Sequence, residues 1–238
     1  MIKSSVQTSY LERASPRIWH HSYFLLKTIR NNLINLVNKE ELSNKNVLDL
    51  GCGYKPHRDL FQGKYVGVDH FNNKMADLNR NIEKPLRLNK KFDLVLCLDV
   101  LEHTKNTKAV INNAIIALKS GGFLFISTPF IFWVHKDPND YYRFTRQFFT
   151  ELQKRRLVIH KIQESNYLFA ILPILLNYLV LALPIPYFTK YPLWFANNII
   201  AAFLNTICLI AYKALKNDEW KNWLLSAPGE YIVIFKKI

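Results

Sequence analysis

The chain has 238 residues, half of them hydrophobic, and 32 lysines and arginines against 18 acids give a formal net charge of +14. That length suits one domain plus an embellishment, large enough to bury a core. Cys52, Cys97 and Cys208 lie far apart with no Cys-x-x-Cys pair, which argues against a zinc site and a disulfide framework and fits a reducing compartment. No metal ligand set is expected. The positive charge raises nucleic acid or an anionic membrane surface as partners, with a composition rich in Asn, Lys and Ile as the plain alternative.

Met1 to Pro16 is polar and lacks the apolar run of a signal peptide, so a cytosolic position is expected and residues 1–15 read as loosely ordered. From Pro16 to Val37 the apolar residues Ile18, Phe24, Leu25, Ile29, Leu33, Leu36 and Val37 recur at helical spacing. Val47–Leu50 reads as a short buried strand running into Gly51-Cys52-Gly53, with Tyr54–Phe61 as the helix that follows. Tyr65–Asp69 is a second strand and Met75–Leu78 a brief third. Phe92–Leu98 is an apolar run, as in a strand covered on both faces. Lys105–Lys119 is helical, Gly121-Gly122 stops it, and Phe123–Thr128 is the next strand, ended by Pro129. A helix over Thr145–Arg156, a strand over Leu157–Gln163 and a last strand over Tyr231–Phe235 complete the alternation. Such alternation implies a parallel sheet with helices on both faces, and no internal repeat is visible.

The glycine turn carries the first chemical signal. Glycine permits a sharp bend and lets a ligand approach the main chain. A dinucleotide fingerprint needs a third small residue where this chain has Pro56, preceded by Tyr54 and Lys55. Asp49, inside the strand, would repel phosphates and suits a cationic ligand such as S-adenosylmethionine. Asp69 ends the second strand 18 residues after Gly51, where an acid can accept hydrogen bonds from ribose hydroxyls; the plain alternative is a turn aspartate before His70.

Four blocks together resemble the class I S-adenosylmethionine-dependent methyltransferases, and the bacterial type 11-like group in particular. They are Val47-Leu-Asp-Leu-Gly-Cys-Gly53, Val66-Gly-Val-Asp69, Phe92-Asp-Leu-Val-Leu-Cys-Leu-Asp-Val-Leu-Glu-His103 and Leu118-Lys-Ser-Gly-Gly-Phe-Leu-Phe-Ile-Ser-Thr-Pro129. The resemblance covers about residues 44–164 and 228–238. It implies a Rossmann-like seven-stranded α/β sheet of order 3-2-1-4-5-7-6 with its last strand antiparallel. It also implies a cofactor site of Asp49, Gly51, Cys52, Gly53, Asp69, His70, Asp77, Asn81, Ile82 and Asp99, with Asp77, Asn81 and Ile82 near the adenine. The family often has aspartate where this chain has Asn81, whose carbonyl oxygen can still accept.

Asp99, Glu102 and His103 follow the fourth strand at the edge where ligands bind in such sheets. His103 is either a general base near the methyl acceptor or, with Glu102, a cap for the next helix. The segment His135-Lys-Asp-Pro-Asn-Asp-Tyr-Tyr-Arg-Phe-Thr145 resembles a recurrent block in bacterial members of the family. His135, Asp140, Tyr141 and Arg143 are expected to line the acceptor site beside His103. The alternative is that Tyr142 and Phe144 pack the loop while Arg143 pairs with Asp140. Methyl transfer is a displacement at a sulfonium, so positioning alone can suffice.

Between Ser165 and Tyr212 the one charged residue is Lys190. Prolines 173, 184 and 186 leave only Ile174–Leu183 unbroken, about 15 Å of helix at about 1.5 Å per residue, too short to span a bilayer. In the second stretch Asn198, Ala201, Ala202 and Asn205 share one small, polar helical face, as at helix contacts in membranes. Tyr187, Phe188, Tyr191, Trp194, Tyr212, Trp220 and Trp223 cluster at the edges with Lys213, Lys216 and Lys221, a pattern of membrane interfaces. The sequence therefore divides into an N-terminal helical extension (1–43), a methyltransferase domain (44–164 with 226–238) and an apolar helical insertion (165–225). The expected activity is methyl transfer at the cytoplasmic side of a membrane to a lipid or lipid-linked acceptor. The alternatives are a soluble methyltransferase of RNA or a small metabolite, with the insertion as lid or dimer interface, and a non-catalytic membrane adaptor.

Overall fold

The computed structural model describes residues 12–70, 73–135 and 139–238. The loose N-terminus expected for residues 1–15 falls mostly outside the described residues, and so do positions 136–138 of the polar–aromatic loop. Seven strands make one sheet: β1 Val47–Leu50, β2 Tyr65–Asp69, β3 Leu78–Asn79, β4 Phe92–Leu98, β5 Leu118–Pro129, β6 Leu157–Ser165 and β7 Glu230–Lys237. Their order is β3-β2-β1-β4-β5-β7-β6, as expected, and the apolar insertion lies between β6 and β7 in the chain.

All four β1 residues are buried, as are Phe92 and Leu94–Cys97 of β4, which is what strands covered on both faces require. The parallel registers Asp49↔Gly67, Asp49↔Leu96 and Leu98↔Ser127 align the carboxyl ends of β2, β1, β4 and β5. Gly51, Asp69, Asp99 and the segment after Pro129 therefore leave the sheet at one edge, where open α/β sheets bind ligands.

Helix α1 (Tyr23–Lys39) buries Leu25, Ile29, Leu33, Leu36 and Val37 of the residues spaced so in the sequence, and Leu26 besides, while Phe24 is half-buried. Helix α2 (Thr107–Ala117) is capped by Asn106, whose side chain accepts from the Ala109 N–H at 3.1 Å. It ends two residues short of the expected stop, because Leu118 is already extended and paired with Phe92. The expected Thr145–Arg156 helix is α3 (Arg146–Glu151) and a 3-10 turn, closed by a left-handed Arg156 at φ 64°.

One expected helix is absent. After the glycine turn there is only a 3-10 turn, Arg58–Leu60, in place of a helix over Tyr54–Phe61. Lys55 stands at φ 53° immediately before Pro56, and both features oppose right-handed helix at that point. The brief third strand also forms later than expected, at Leu78–Asn79, after Asp77 has been tied to Gly67.

The chain divides into two compact units. One comprises residues 30–129, 133–163 and 231–238 and holds the sheet; the other comprises 12–29, 130–132 and 164–230. The sequence pattern places its boundaries at 43/44, 164/165 and 225/226.

The second unit is built on α4 (Ile171–Ala182), α5 (Tyr187–Ala214) and α6 (Asp218–Leu224). Its polarity runs from inside to outside. Asn177 and Asn198 are both 0% exposed. Asn177 Nδ2 donates to Asn198 Oδ1 at 2.9 Å and to the His21 carbonyl at 3.1 Å. Asn198 Nδ2 donates to the carbonyls of Ile18 (2.6 Å) and His20 (2.9 Å). Trp194, also fully buried, donates through Nε1 to the Asn177 carbonyl at 2.8 Å. Lys190 is buried as well, and its ammonium donates to the carbonyls of Leu181 and Leu183. The outward residues of the two helices are apolar: Leu172, Leu176, Leu179, Phe195, Ile199, Ile200, Phe203, Ile207 and Ile210 are all exposed.

Candidate functional site

The turn after β1 curls over β2, with the N–H groups of Gly51 and Cys52 both donating to the Val68 carbonyl at 2.8 and 3.1 Å. Gly51 (φ 73°) and Gly53 (φ 50°) are glycine for different reasons. A Cβ on Gly51 would lie 2.4 Å from Val100 Cγ2, so the turn rests against the residue that leaves β4. A Cβ on Gly53 would meet nothing within 4 Å and would project into open space.

Gly53 is clasped to the end of β2. Its N–H donates to Asp69 Oδ2 at 2.9 Å, and Asn73 Nδ2 bridges the Gly53 carbonyl (2.7 Å) and the same carboxylate oxygen (2.8 Å). Asp69 Oδ1 accepts from the His70 N–H at 2.7 Å and stands 3.0 Å from His70 Nδ1. Partial burial pushes the Asp69 carboxyl up, but these hydrogen bonds outweigh it and hold the group below its usual range, so it is ionised.

The remaining cofactor candidates have mixed placements. Asp49 is buried, and the Tyr65 hydroxyl donates to its carboxylate within the core. Cys52 is buried under the turn, and burial, reinforced by Asp49 and Asp69, pushes its thiol up to about 12. Asp77 turns back to the sheet, accepting from the Gly67 N–H and Lys55 Nζ, both at 2.7 Å. Asn81 is exposed, and its side-chain oxygen accepts from the Glu83 N–H at 2.8 Å. The Ile82 carbonyl accepts from Asn113 Nδ2 at 2.8 Å, and Glu83 accepts from the N–H groups of Lys105 and Asn106. The 81–84 turn is thereby tied to the start of α2.

Asp99 is left-handed at φ 52°, an unusual conformation for a residue with a Cβ. Ser127 holds it there: the Asp99 N–H donates to the Ser127 carbonyl and hydroxyl, and Ser127 Oγ donates to Asp99 Oδ1 at 2.7 Å. Ser127 was missed in the sequence, although aligning the ends of the fourth and fifth strands would have placed it opposite Leu98. Asn73 and Tyr65 were missed too, since neither stands in a motif.

The acceptor candidates do converge. Tyr141 N–H donates to the Glu102 carbonyl at 2.7 Å, pinning the 139–145 segment to the 3-10 turn Leu101–His103. His103 Nδ1 lies 2.5 Å from the Asn139 carbonyl, and the His103 and His135 rings meet edge to face with centroids 4.6 Å apart. Asp140 is an organising group within this cluster. Its side chain is 1% exposed, it takes both Arg143 guanidinium nitrogens (2.6 and 2.8 Å), and it accepts from the His135 N–H at 2.9 Å. The Arg143 hydrogen bonds, assisted by His135 and opposed by burial, hold its carboxyl well below the usual range. Arg143 also donates to the Trp133 carbonyl at 2.9 Å, and Tyr141 OH donates to Asn139 Oδ1 at 2.9 Å. Phe144 is buried, so the loop is packed by Phe144 and locked by the Asp140–Arg143 pair. On its other flank a cleft of about 390 Å³ is lined by Lys105, Lys108, Tyr142, Arg143 and Phe148 among others.

The chain is similar to known methyltransferases. It is 30% identical over 105 residues to ubiquinone biosynthesis O-methyltransferases of Coxiella burnetii, a match covering 37% of this chain and 44% of theirs. The chain thus spans less than half the length of the curated relatives it matches. In structure it resembles the plantazolicin methyltransferase BamL, solved with a triazolic desmethylPZN analog and SAH, at TM-score 0.52 and 17% identity, covering 100% of this chain and 91% of that one. It resembles coclaurine N-methyltransferase, bound to N-methylheliamine and SAH, at TM-score 0.52 and 14% identity, covering 90% and 72%. At those identities the likeness is one of fold. A family model described as a methyltransferase domain matches residues 19–161, more than half of the 238. On that match, the chain belongs to the methyltransferase domain family.

Proposed function

We propose that this protein transfers the methyl group of S-adenosylmethionine to a lipid or lipid-linked acceptor while seated in the cytosolic face of a membrane. Three features support the cofactor. Gly53 leaves open space beside the turn, Asp69 is an ionised carboxylate at the end of β2, and Asp99 is held beside the turn through Val100. Four donors already occupy Asp69: two backbone N–H groups, the His70 ring and the Asn73 amide. A carboxylate offers about four lone-pair directions. A ribose diol would therefore take the places of the two side chains and leave the backbone donors in position. No α-helix begins at the glycine turn, so a phosphate would gain no helix dipole there, whereas a sulfonium cofactor needs none.

The observation that carries the membrane reading is the inverted hairpin, with asparagines inside and leucines, isoleucines and phenylalanines outside. In water that arrangement exposes the apolar groups and buries the polar ones; in lipid it satisfies both. Helix α5 has 28 residues, about 42 Å at about 1.5 Å per residue, and it is long and apolar enough to cross a bilayer. Its partner α4 has 12, about 18 Å, against a hydrocarbon core of about 30 Å. A hairpin with one arm that short favours a monotopic seat over a span. Exposed Trp220 and Trp223 with Lys213, Lys216 and Lys221 supply the interfacial anchors. The ubiquinone biosynthesis relatives support an oxygen acceptor of lipid-soluble kind.

The test is incubation of membranes from expressing cells with methyl-labelled S-adenosylmethionine, followed by separate lipid and aqueous extraction. Label in the lipid phase, dependent on the protein, supports the reading. Label confined to the aqueous phase, or a protein wholly soluble at low salt without detergent, refutes it.

A further inference from the structure

Glu102, His103 and His135 each present one donor atom within 4.8 Å of the other two. Glu102 and His103 adjoin in the 3-10 turn after β4, while His135 lies 32 residues further on, beyond β5. The Glu102 side chain is 0% exposed, with the Arg143 guanidinium near enough to interact with it electrostatically.

The hydrogen bonds around the two rings decide which nitrogens keep a lone pair. His103 Nδ1 meets the Asn139 carbonyl, which can only accept, so Nδ1 carries the proton. Its Nε2 then keeps the lone pair, 3.8 Å from Glu102 Oε1. His135 Nδ1 lies 3.2 Å from Asp140 Oδ2 and 3.3 Å from the Trp133 carbonyl, again acceptors only, so its Nε2 is the lone-pair nitrogen too. A backbone carbonyl behind one imidazole and a carboxylate behind the other form the outer support usual for metal-binding histidines. Arg143 locks Asp140 in that role.

We propose that Glu102, His103 and His135 bind one divalent transition metal and leave coordination positions open for an acceptor oxygen. Two imidazoles and one carboxylate suit zinc, iron or manganese, and catalytic zinc uses this ligand set with a fourth position free. Ligands at about 2.1 Å from a tetrahedral ion stand about 3.4 Å apart, so donors up to 4.8 Å apart need to close by up to about 1.4 Å, within reach of side-chain torsions. Val100, which packs on Gly51, is two residues before Glu102, and this puts the cluster beside the cofactor turn.

The acceptor part rests on the methyltransferase reading above. A hydroxyl bound to the ion is acidified. It releases its proton to water, its oxygen forms the bond to the methyl carbon as the carbon–sulfur bond breaks, and S-adenosylhomocysteine leaves. On this reading His103 is a ligand and not a base. The expectation of no metal rested on cysteine and motif spacing, and ligands brought together across 32 residues have no such spacing.

The experiment uses the untagged full chain, stripped with chelator. It is titrated separately with Zn²⁺, Mn²⁺ and Co²⁺, with metal content by mass spectrometry, Co²⁺ absorption as a coordination signature, and S-adenosylhomocysteine affinity measured alongside. The expected result is one equivalent of metal. It should weaken at least about 100-fold in His103→Ala and in His135→Ala, since even outer-shell losses cost 10–100-fold, with S-adenosylhomocysteine affinity retained. His103→Gln and His135→Gln serve if an alanine variant does not fold. Failure to bind any of the three ions stoichiometrically while S-adenosylhomocysteine binds overturns the proposal, as does wild-type metal affinity in a chain carrying both His103→Ala and His135→Ala. Metal binding without S-adenosylhomocysteine binding leaves this site standing and sinks the cofactor reading instead.

Discussion

The two glycines of the β1 turn should fail in different ways when given a methyl group. In Gly51→Ala the new Cβ would lie 2.4 Å from Val100 Cγ2 and 2.9 Å from Cγ1, on a backbone at φ 73°. Left-handed conformation costs an alanine about 1–2 kcal/mol, and overpacking in a tight site costs about 1–3 more. The variant should therefore lose about 2–5 kcal/mol of stability. Val100→Ala in the same chain removes the atoms in conflict and should return the steric share, a coupling of about 1–3 kcal/mol. Gly53→Ala carries the φ 50° strain but meets nothing within 4 Å, so it should cost only about 1–2 kcal/mol. Its methyl group would occupy the space the cofactor is proposed to enter, so S-adenosylhomocysteine affinity should fall at least tenfold. Urea unfolding gives the stabilities and calorimetry the affinities. Additive Gly51 and Val100 effects would refute the contact. A Gly53→Ala protein that binds S-adenosylhomocysteine like the wild type would refute the placement of the cofactor.

Asp69→Ala removes the acceptor of the Gly53 clasp and of the proposed ribose, and calorimetry should record a loss of S-adenosylhomocysteine affinity on the order of 100-fold, two charge-assisted hydrogen bonds at roughly 1.5 kcal/mol each. In the second unit, Asn177→Leu leaves Asn198 Oδ1 and the His21 carbonyl without their donor; thermal unfolding in detergent should show a loss of about 2–3 kcal/mol. His21 lies against Tyr178 and Trp194, and burial, with His20 adding to it, lowers its pKa to about 4. The unfolded chain takes up this proton near 6.5 and the folded one only near 4, so this contribution is intact above pH 6.5 and lost as pH falls towards 4. The loss amounts to about 3 kcal/mol, and His21→Phe should flatten that slope in pH-dependent unfolding.

Much of the fold was legible because β1, β2, β4 and β5 are local apolar runs with glycine, acid or proline at their ends, and that punctuation depends on no distant contact. The order of the sheet came with the resemblance those blocks carry. The inverted hairpin was half visible too, as Asn198, Ala201 and Asn205 on one face of an otherwise apolar stretch. Tertiary structure decided what depends on distant partners. Lys55 at φ 53° before Pro56 cancelled the helix expected over Tyr54–Phe61. The donors that Asp49 and Asp77 accept from, Tyr65 for the one and Lys55 with Gly67 for the other, came from the fold and not from the motifs. Ser127 reached Asp99 only through the β4–β5 register, and His135 reached His103 only because the 139–145 segment is pinned to the Glu102 carbonyl. Local composition determines where strands and turns begin and end. The direction in which Asp49, Asp99 or His103 points is set by Tyr65, Ser127 and Asn139, 16 to 36 residues away in the sequence, and only the folded chain brings those partners together.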